Sequence, residues 1–267
     1  MKLRPIAGIV LRQVYLLRGS PVRLFPMITW VAIDIVLWGF ITRYLNSVSG
    51  SGMNFVPTLL GAVLMWDFCT RIMQGVTTAF LEDVWSRNFL NLFASPLSIS
   101  EYVAGLVLTS VLTSSLGLAV MLLLATAVFG LHFLAMGAVL GAFLLVLFVF
   151  GVTLGIFGSA IVLRHGPASE WLLWPLPAVL APFAAVFYPL ATLPQWMQRL
   201  AQCVPPSYVF EGMRSVLAGQ PASSGLLLRG AAIALVELLL AAYFYGRVYR
   251  RAVRTGLLAR YSAESAS

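Results

Sequence analysis

Two neighbouring stretches of this chain, residues 102–129 and 133–163, contain no charged residue at all. The hydrocarbon core of a bilayer is about 30 Å thick, and a helix rising about 1.5 Å per residue needs roughly 20 apolar residues to cross it. Across all 267 residues only 10% are charged, whereas a soluble domain carries roughly 25%. The chain is therefore predicted to be an all-α integral membrane protein.

The apolar segments predict six transmembrane helices within a single transmembrane domain, residues 1–267. The predicted spans are at about 24–43, 55–79, 102–129, 133–163, 171–191 and 226–246. The fifth span holds Pro175, Pro177, Pro182 and Pro189. It is expected to be kinked or broken, because proline lacks the backbone donor and clashes with the preceding turn. No room is left for a separate soluble catalytic domain, which usually needs ~100 residues or more.

Three further segments are predicted outside the spans. Residues 1–20 place apolar residues at helical spacing among basic ones, which predicts a helix lying in the membrane interface. Residues 192–218 predict two short amphipathic helices separated by Pro205 and Pro206, because the residue before a proline avoids the helical region. Residues 247–267 are predicted to form a basic tail.

The distribution of basic residues predicts the orientation of the chain. With both termini in the cytoplasm, 12 of the 17 lysines and arginines lie on that side, four lie outside, and Arg71 lies in the membrane. Cytoplasmic loops carry the excess of Lys and Arg in membrane proteins. Both termini are therefore predicted to be cytoplasmic. The net charge of +8 is attributed to these loops and to anionic lipid headgroups, with no nucleic-acid partner.

The motifs of a self-contained enzyme are missing from the sequence. A phosphate-binding P-loop ends in Gly-Lys-Ser/Thr, and the only lysine is Lys2. His132 and His165 are predicted on opposite sides of the membrane, and Cys69 and Cys203 give neither a disulfide framework nor a metal site. We therefore expect no catalytic residue, no metal site and no cofactor in this chain. A membrane enzyme that uses carboxylates alone is disfavoured rather than excluded.

Four ionisable residues fall at membrane depth: Asp34, Asp67, Arg71 and Glu237. Each costs roughly 2.5–3.5 kcal/mol at the centre of a spanning helix, so they are expected to face other helices and to find partners. Asp67 and Arg71 are four residues apart and could pair on one helix face. Two interpretations stay open: a polar lining for a transport path or proton relay, and interhelical pairing that fixes the packing.

Glycines recur four residues apart on the fourth span, at Gly137 and Gly141 and again at Gly151 and Gly155. Small residues at this spacing permit two helices to approach closely. The pattern fits packing within the chain as well as it fits packing between two chains.

Residues 81–95 are predicted to form a short amphipathic helix on the cytoplasmic side. Apolar residues recur at helical spacing from Leu81 to Leu92, and Pro96 ends the helix. Its polar face carries two acids and one arginine: Glu82, Asp83 and Arg87. Helices that lie on membranes usually carry Lys and Arg on this face. Docking into a groove of another protein is therefore favoured over binding to the membrane surface.

Several motifs occur in a characteristic order along the chain. The cytoplasmic helix ends in Ser-Pro-Leu-Ser (95–98) and is followed by a long third span. Residues 187–219 then contain Leu-Pro-x-Trp, Pro-x-x-Tyr and Glu-Gly-x-Arg after the proline-rich fifth span. With this order and spacing, the chain resembles the membrane subunit of type-2 ABC exporters over nearly its whole length. One departure is the doubled Pro205-Pro206, where Asn-Pro is more usual.

The resemblance implies an export permease that hydrolyses no ATP itself. Such a permease forms a dimer with a second copy or a homologue, and it binds cytosolic ABC ATPase subunits that hold ATP and Mg²⁺. The segment 81–95 would be the coupling helix, with these contact residues: Glu82, Asp83, Trp85, Arg87 and Phe89. The pair at 193–216 would be re-entrant and cap the outer end, with these gate residues: Pro194, Trp196, Pro205, Tyr208, Glu211 and Arg214.

The same resemblance implies a multi-pass protein of the bacterial cytoplasmic (inner) membrane, with membrane lipid as its surroundings. The expected cargo is amphipathic: a drug, a lipid or a lipid-linked polysaccharide. The alternative is a proton-coupled secondary transporter that uses the intramembrane carboxylates Asp34, Asp67 and Glu237. It predicts flux driven by a pH gradient in vesicles that contain only this chain.

Overall fold

The computed structural model describes residues 3–19, 21–48, 56–86, 92, 95, 97–131 and 137–256. In this part of the chain the elements are helical, without a β-strand. In chain order the helices are α1 (Leu3–Gly19), α2 (Pro21–Val48), α3 (Gly61–Trp85, entered through a π-helical turn at Val56–Leu60), α4 (Ile99–Phe129), α5 (Ala138–His165), α6 (Leu176–Leu180), α7 (Gln195–Ala201), α8 (Pro205–Leu217) and α9 (Ser224–Arg254). Five of them, α2, α3, α4, α5 and α9, are long and apolar enough to cross a membrane. The prediction of an all-α membrane protein is confirmed.

The fifth predicted span, 171–191, is not a continuous helix. The chain forms a 3₁₀ turn at Pro167–Leu172, then the five-residue helix α6, and a second 3₁₀ turn at Leu190–Thr192. Its four prolines account for the interruptions, because each removes a backbone donor. The count of six spans therefore stays a prediction, with five long helices described.

Two other boundaries differ from the sequence-based expectation. α3 continues without interruption to Trp85, so residues 81–85 end this helix instead of starting a separate one. Phe80 and Leu81 are buried, which extends the packed face of α3 past the predicted boundary at 79. α9 continues to Arg254, and its buried Val248 and Ala252 hold the first part of the predicted tail in the bundle.

Local signals in the sequence explain where α4 begins and ends. Ser98 forms a capping box with Glu101: the Ser98 Oγ accepts from the Glu101 N–H at 3.3 Å, and the Ser98 N–H donates to the Glu101 carboxylate at 3.1 Å. These bonds satisfy donors that the first turn leaves unpaired. Gly130 ends α4 with a left-handed conformation, at φ 66°, which glycine adopts without strain.

α3 lies between α4 and α5, and α5 also packs on α9. The closest approach is at two glycines of α5. A Cβ on Gly151 would lie 2.7 Å from the Cys69 carbonyl oxygen, and a Cβ on Gly155 would lie 2.7 Å from the Val76 Cβ. These two glycines therefore pack within the chain, whereas a Cβ on Gly141 would meet none of the described residues within 4 Å.

This contrast gives a stability prediction with an internal control. Gly155→Leu should lower the thermal unfolding temperature of the purified chain in detergent, because overpacking costs about 1–3 kcal/mol. Gly141→Leu introduces the same side chain on the same helix, where no atom of the described residues lies within 4 Å of an added Cβ, and should leave the temperature nearly unchanged. An equal shift in both variants would contradict the described packing of α5 on α3.

The helices α3, α4 and α5 alternate in direction, and α9 runs in the same direction as α3 and α5. Asp83 near the end of α3 bonds Tyr102 near the start of α4, so these two helices are antiparallel. Phe80 of α3 meets Tyr245 of α9 edge-on, with ring centroids 6.4 Å apart, so α3 and α9 end on the same side. We call this side the Asp83 end and the other side the Glu211 end. α5 ends at the Asp83 end and α9 begins at the Glu211 end. Residues 166–223 between them therefore return the chain from the Asp83 end to the Glu211 end.

Candidate functional site

A buried carboxylate joins three helices at the Asp83 end. The Arg12 Nη2 of α1 lies 2.7 Å from the Asp83 Oδ1, and the Tyr102 Oη of α4 donates to the Asp83 Oδ2 at 2.8 Å. The side chain of Asp83 is only 3% exposed, and Tyr102 is fully buried. We call Arg12, Asp83 and Tyr102 the helix clamp. It ties the end of α3 to α1 and α4 through charge-assisted hydrogen bonds, which are the strong kind.

The helix clamp corrects one expectation. Asp83 was predicted to lie on a polar face that contacts a partner, but in the structure it lies inside the bundle. The reason is that α3 continues through this position, so the side chain faces α1 and α4 instead of solvent. A carboxylate at such a depth needs a charged or hydrogen-bonding partner, which Arg12 and Tyr102 provide.

The two neighbouring residues predicted for the same role lie differently. Trp85, the last residue of α3, is 54% exposed, and Glu82 is partly exposed beside a cavity. Arg87 and Phe89, the other two predicted contact residues, lie outside the described residues. The end of α3 thus presents a large aromatic side chain next to a rigidly held carboxylate.

Two of the four predicted intramembrane charges form an ion pair, and a third lies within electrostatic range of it. The predicted pairing of Asp67 with Arg71 is confirmed: the Arg71 Nε lies 2.7 Å from the Asp67 Oδ2. Asp34 of α2 is attracted by the same guanidinium group. Glu237 of α9 does not join them, and its buried Oε2 makes no hydrogen bond to the described residues.

A polar cavity of about 220 Å³ lies between α1, α3 and α4. Arg71 and Glu82 both line it, so it extends from the Asp67–Arg71 pair towards the end of α3. The Gln13 Nε2 and the Ser114 Oγ are buried there without a hydrogen-bond partner among the described residues. Buried polar groups are normally paired with protein or water. The cavity therefore has the size and the polar lining to hold ordered water.

A third ion pair organises the Glu211 end. The Glu211 Oε1 accepts from the Arg214 Nη2 at 3.0 Å and from the Leu190 backbone N–H at 2.6 Å. Arg214 also donates to the carbonyl oxygens of Ala185 at 3.0 Å and Val186 at 3.4 Å. We call Glu211 and Arg214 the outer staple, after the side of the membrane that the sequence analysis predicts for them. It satisfies backbone groups of the broken fifth segment, as irregular backbone at membrane depth requires.

The other four predicted gate residues precede the outer staple in the sequence and do not share its hydrogen bonds. Pro194 precedes α7, and Pro205 is the first residue of α8. Tyr208 donates through its Oη to the Gln202 carbonyl oxygen at 2.9 Å, which fastens the turn between α7 and α8. Trp196 is 60% exposed and meets the ring of Phe183 edge-on.

The outer staple gives a second prediction. Arg214→Ala should speed the hydrogen exchange of the Leu190 amide and neighbouring amides, because hydrogen bonds to a charged group are worth about 1.5–3 kcal/mol. Arg199→Ala, which removes an arginine from the last turn of α7, should leave that exchange unchanged. Exchange at 185–190 that is the same in both variants would contradict the role assigned to Arg214.

The model of one family, described as ABC-2 type transporter, matches residues 22–218. The chain belongs to the ABC-2 type transporter family. No curated protein matches the chain. The match begins in α2 and ends just after α8, so it includes the outer staple, the charges of α3 and the segment 81–95. Membership of this family gives the multi-pass protein the role of an ABC permease. Membrane subunits of this family are generally non-catalytic.

Sequence reasoning on this ABC-2 permease missed two of the three residues of the helix clamp. Arg12 falls within the predicted interfacial helix, residues 1–20, and Tyr102 is the first residue of the predicted third span. A weak signal exists at Tyr102, because it directly follows Glu101 of the capping box and so lies at the start of a helix that begins beside the end of α3. Nothing in the sequence pairs Arg12 with Asp83, 71 residues away.

Proposed function

We propose that the chain is the membrane permease subunit of an ATP-driven exporter, coupled to separate cytosolic ABC ATPase subunits. It works with a second permease copy or a homologue in the bacterial cytoplasmic membrane, with both termini in the cytoplasm. The paired permeases form the path for an amphipathic cargo: a drug, a lipid-like molecule or a lipid-linked polysaccharide. ATP and Mg²⁺ are held by the partner subunits.

The observation that carries this proposal is the exposed Trp85 two residues after the buried Asp83. A partner that moves a helix must bind it at an accessible side chain. Tryptophan is among the residue types most enriched in interface hot spots. The bound end of α3 must also be fixed to the rest of the bundle, and the helix clamp fixes it to α1 and α4. Both requirements are met within the last turn of α3.

Coupling then follows from a difference in contact between two states. A partner can shift a conformational equilibrium only by its differential affinity for the two conformations. When the ATPase subunits close on ATP, they would pull on Trp85 and on the predicted contact residues Arg87 and Phe89. The helix clamp passes this displacement to α1 and α4, and the polar cavity between these helices and α3 leaves room for it.

The outer staple supports a gate at the Glu211 end. Glu211 and Arg214 hold the broken fifth segment by its backbone instead of by a continuous helix. This segment can detach and reattach when Glu211 and Arg214 break and re-form these hydrogen bonds, without the unwinding of a spanning helix. We assign the six predicted gate residues to this outer closure.

The test is the behaviour of the purified chain with and without an ABC ATPase encoded beside it. The chain alone should hydrolyse no ATP, should copurify with the ATPase, and should change its rate of ATP hydrolysis in the complex. Accumulation of rhodamine 6G driven by a pH gradient, in vesicles that hold the chain alone, would overturn the proposal. That result would favour the proton-coupled transporter. Its supporting observation is the buried Oε2 of Glu237, which has no hydrogen-bond partner among the described residues.

A further inference from the structure

A large cationic pocket lies at the Asp83 end, between the last turn of α5 and the final turns of α9. Its volume is about 1050 Å³. Five arginines line it, and we call them the arginine pocket: Arg164, Arg247, Arg250, Arg251 and Arg254. Arg164 comes from α5 and the other four from α9. The function proposed above does not use these residues.

The positive charge of the arginine pocket is not balanced by its surroundings. Among the described residues that line the pocket there is no carboxylate. Arg247 donates to the Tyr243 Oη at 3.2 Å, and its guanidinium lies 5.9 Å from the centroid of the Tyr243 ring. Neither contact supplies a negative charge. The C-terminal ends of α5 and α9 contribute only about half a negative charge each. The pocket therefore favours an anion.

The exposed face of α9 changes character along one stripe. Val236, Leu240 and Tyr243 are exposed, and they are followed at intervals of three or four residues by Arg247 and then Arg250 and Arg254. Residues at this spacing lie on the same face of a helix. The stripe is thus apolar at membrane depth and becomes cationic at the Asp83 end, directly at the arginine pocket.

The geometry points to a binding site for an anionic phospholipid, with its phosphate in the arginine pocket and its acyl chains along Val236, Leu240 and Tyr243. Guanidinium groups match phosphate oxygens with paired, charge-assisted hydrogen bonds. Basic pockets between spanning helices at the cytoplasmic leaflet are suited to such headgroups. A small anion would satisfy the arginines but would leave the apolar stripe without a role. The inference rests on the membrane-spanning fold and on the cytoplasmic position proposed for the Asp83 end, and it is independent of the proposed coupling to an ATPase.

The test measures phosphatidylglycerol binding to the full chain in a neutral detergent by native mass spectrometry. The variant Arg247→Gln/Arg250→Gln/Arg251→Gln should bind it roughly 100-fold more weakly, because each basic residue near the surface contributes about fivefold. The control Arg43→Gln/Arg199→Gln/Arg229→Gln removes three arginines outside the pocket and should bind as the unaltered chain does. Phosphatidylcholine binding should be equal in all three proteins. Equal melting temperatures would verify that both variants are folded.

Three results would overturn the inference. The first is phosphatidylglycerol binding that is equal in the pocket variant and the control. The second is displacement of the lipid by an equal concentration of glycerophosphoglycerol, the same headgroup without acyl chains, which would reduce the site to one for a soluble phosphate. The third is a pocket variant that keeps its lipid affinity but no longer binds the ATPase, which would make the arginine pocket a protein interface.

Discussion

Trp85→Ala should weaken binding of the ATPase subunits by about 30-fold, because an aromatic hot spot typically contributes about 2 kcal/mol or more to an interface. The side chain is 54% exposed, so its loss should hardly change the thermal unfolding of the chain alone. The measurement is the dissociation constant of the purified permease and ATPase in detergent. ATP hydrolysis by the mixture should respond less to the permease.

A matched control is present on the same chain. Trp196 is 60% exposed and lies in α7 near the Glu211 end, so Trp196→Ala removes the same side chain from the opposite side of the bundle. It should leave ATPase binding unchanged. Equal affinity in the Trp85 variant and the unaltered chain would contradict a docking role for the end of α3.

Asp83→Asn should lower the stability of the chain by about 3 kcal/mol, even in the absence of any ATPase. Removing one charge of a buried pair costs about 3–5 kcal/mol, and the lower end applies because the Arg12 side chain is 27% exposed. The measurement is thermal or denaturant unfolding in detergent. The double variant Arg12→Gln/Asp83→Asn should recover part of the loss, since it leaves no unpaired charge at the helix clamp.

The adjacent carboxylate separates stability from docking. Glu82→Lys reverses a partly exposed charge one residue away, and it should weaken ATPase binding in a salt-sensitive way with a smaller effect on unfolding. Asp83→Asn should therefore mainly lower the stability measured by unfolding, whereas Glu82→Lys should mainly lower the affinity for the ATPase. If Asp83→Asn unfolds like the unaltered chain, the helix clamp does not hold α3 to α1 and α4.

The long helices follow from the sequence because their signal is local. Residues 102–129 and 133–163 contain no charge, and a run of that length leaves few alternatives to a spanning helix. The Asp67–Arg71 pair was predictable for the same reason, since residues four apart on a helix are neighbours. The glycines Gly151 and Gly155 were visible as a motif, but the helix that they approach was not.

The helix clamp and the outer staple were not predictable, because their bonds join distant parts of the chain. Arg12 and Asp83 are 71 residues apart, and periodicity alone does not say which face of α3 meets α1. Arg214 reaches carbonyl groups 28 and 29 residues earlier. The prolines predict that the fifth segment breaks, but the backbone groups exposed by the break find partners only when α8 packs beside them.

The hydrogen bond from Tyr102 to Asp83 closes a loop of the chain at its base. Asp83 and Tyr102 are 19 residues apart, so the segment between them is held at both ends at one carboxylate. A loop that is already closed loses less conformational entropy when a partner captures it. Because both ends of this segment are fixed, a force applied to it acts on α3 and α4 together. It therefore displaces the two helices jointly instead of bending one of them.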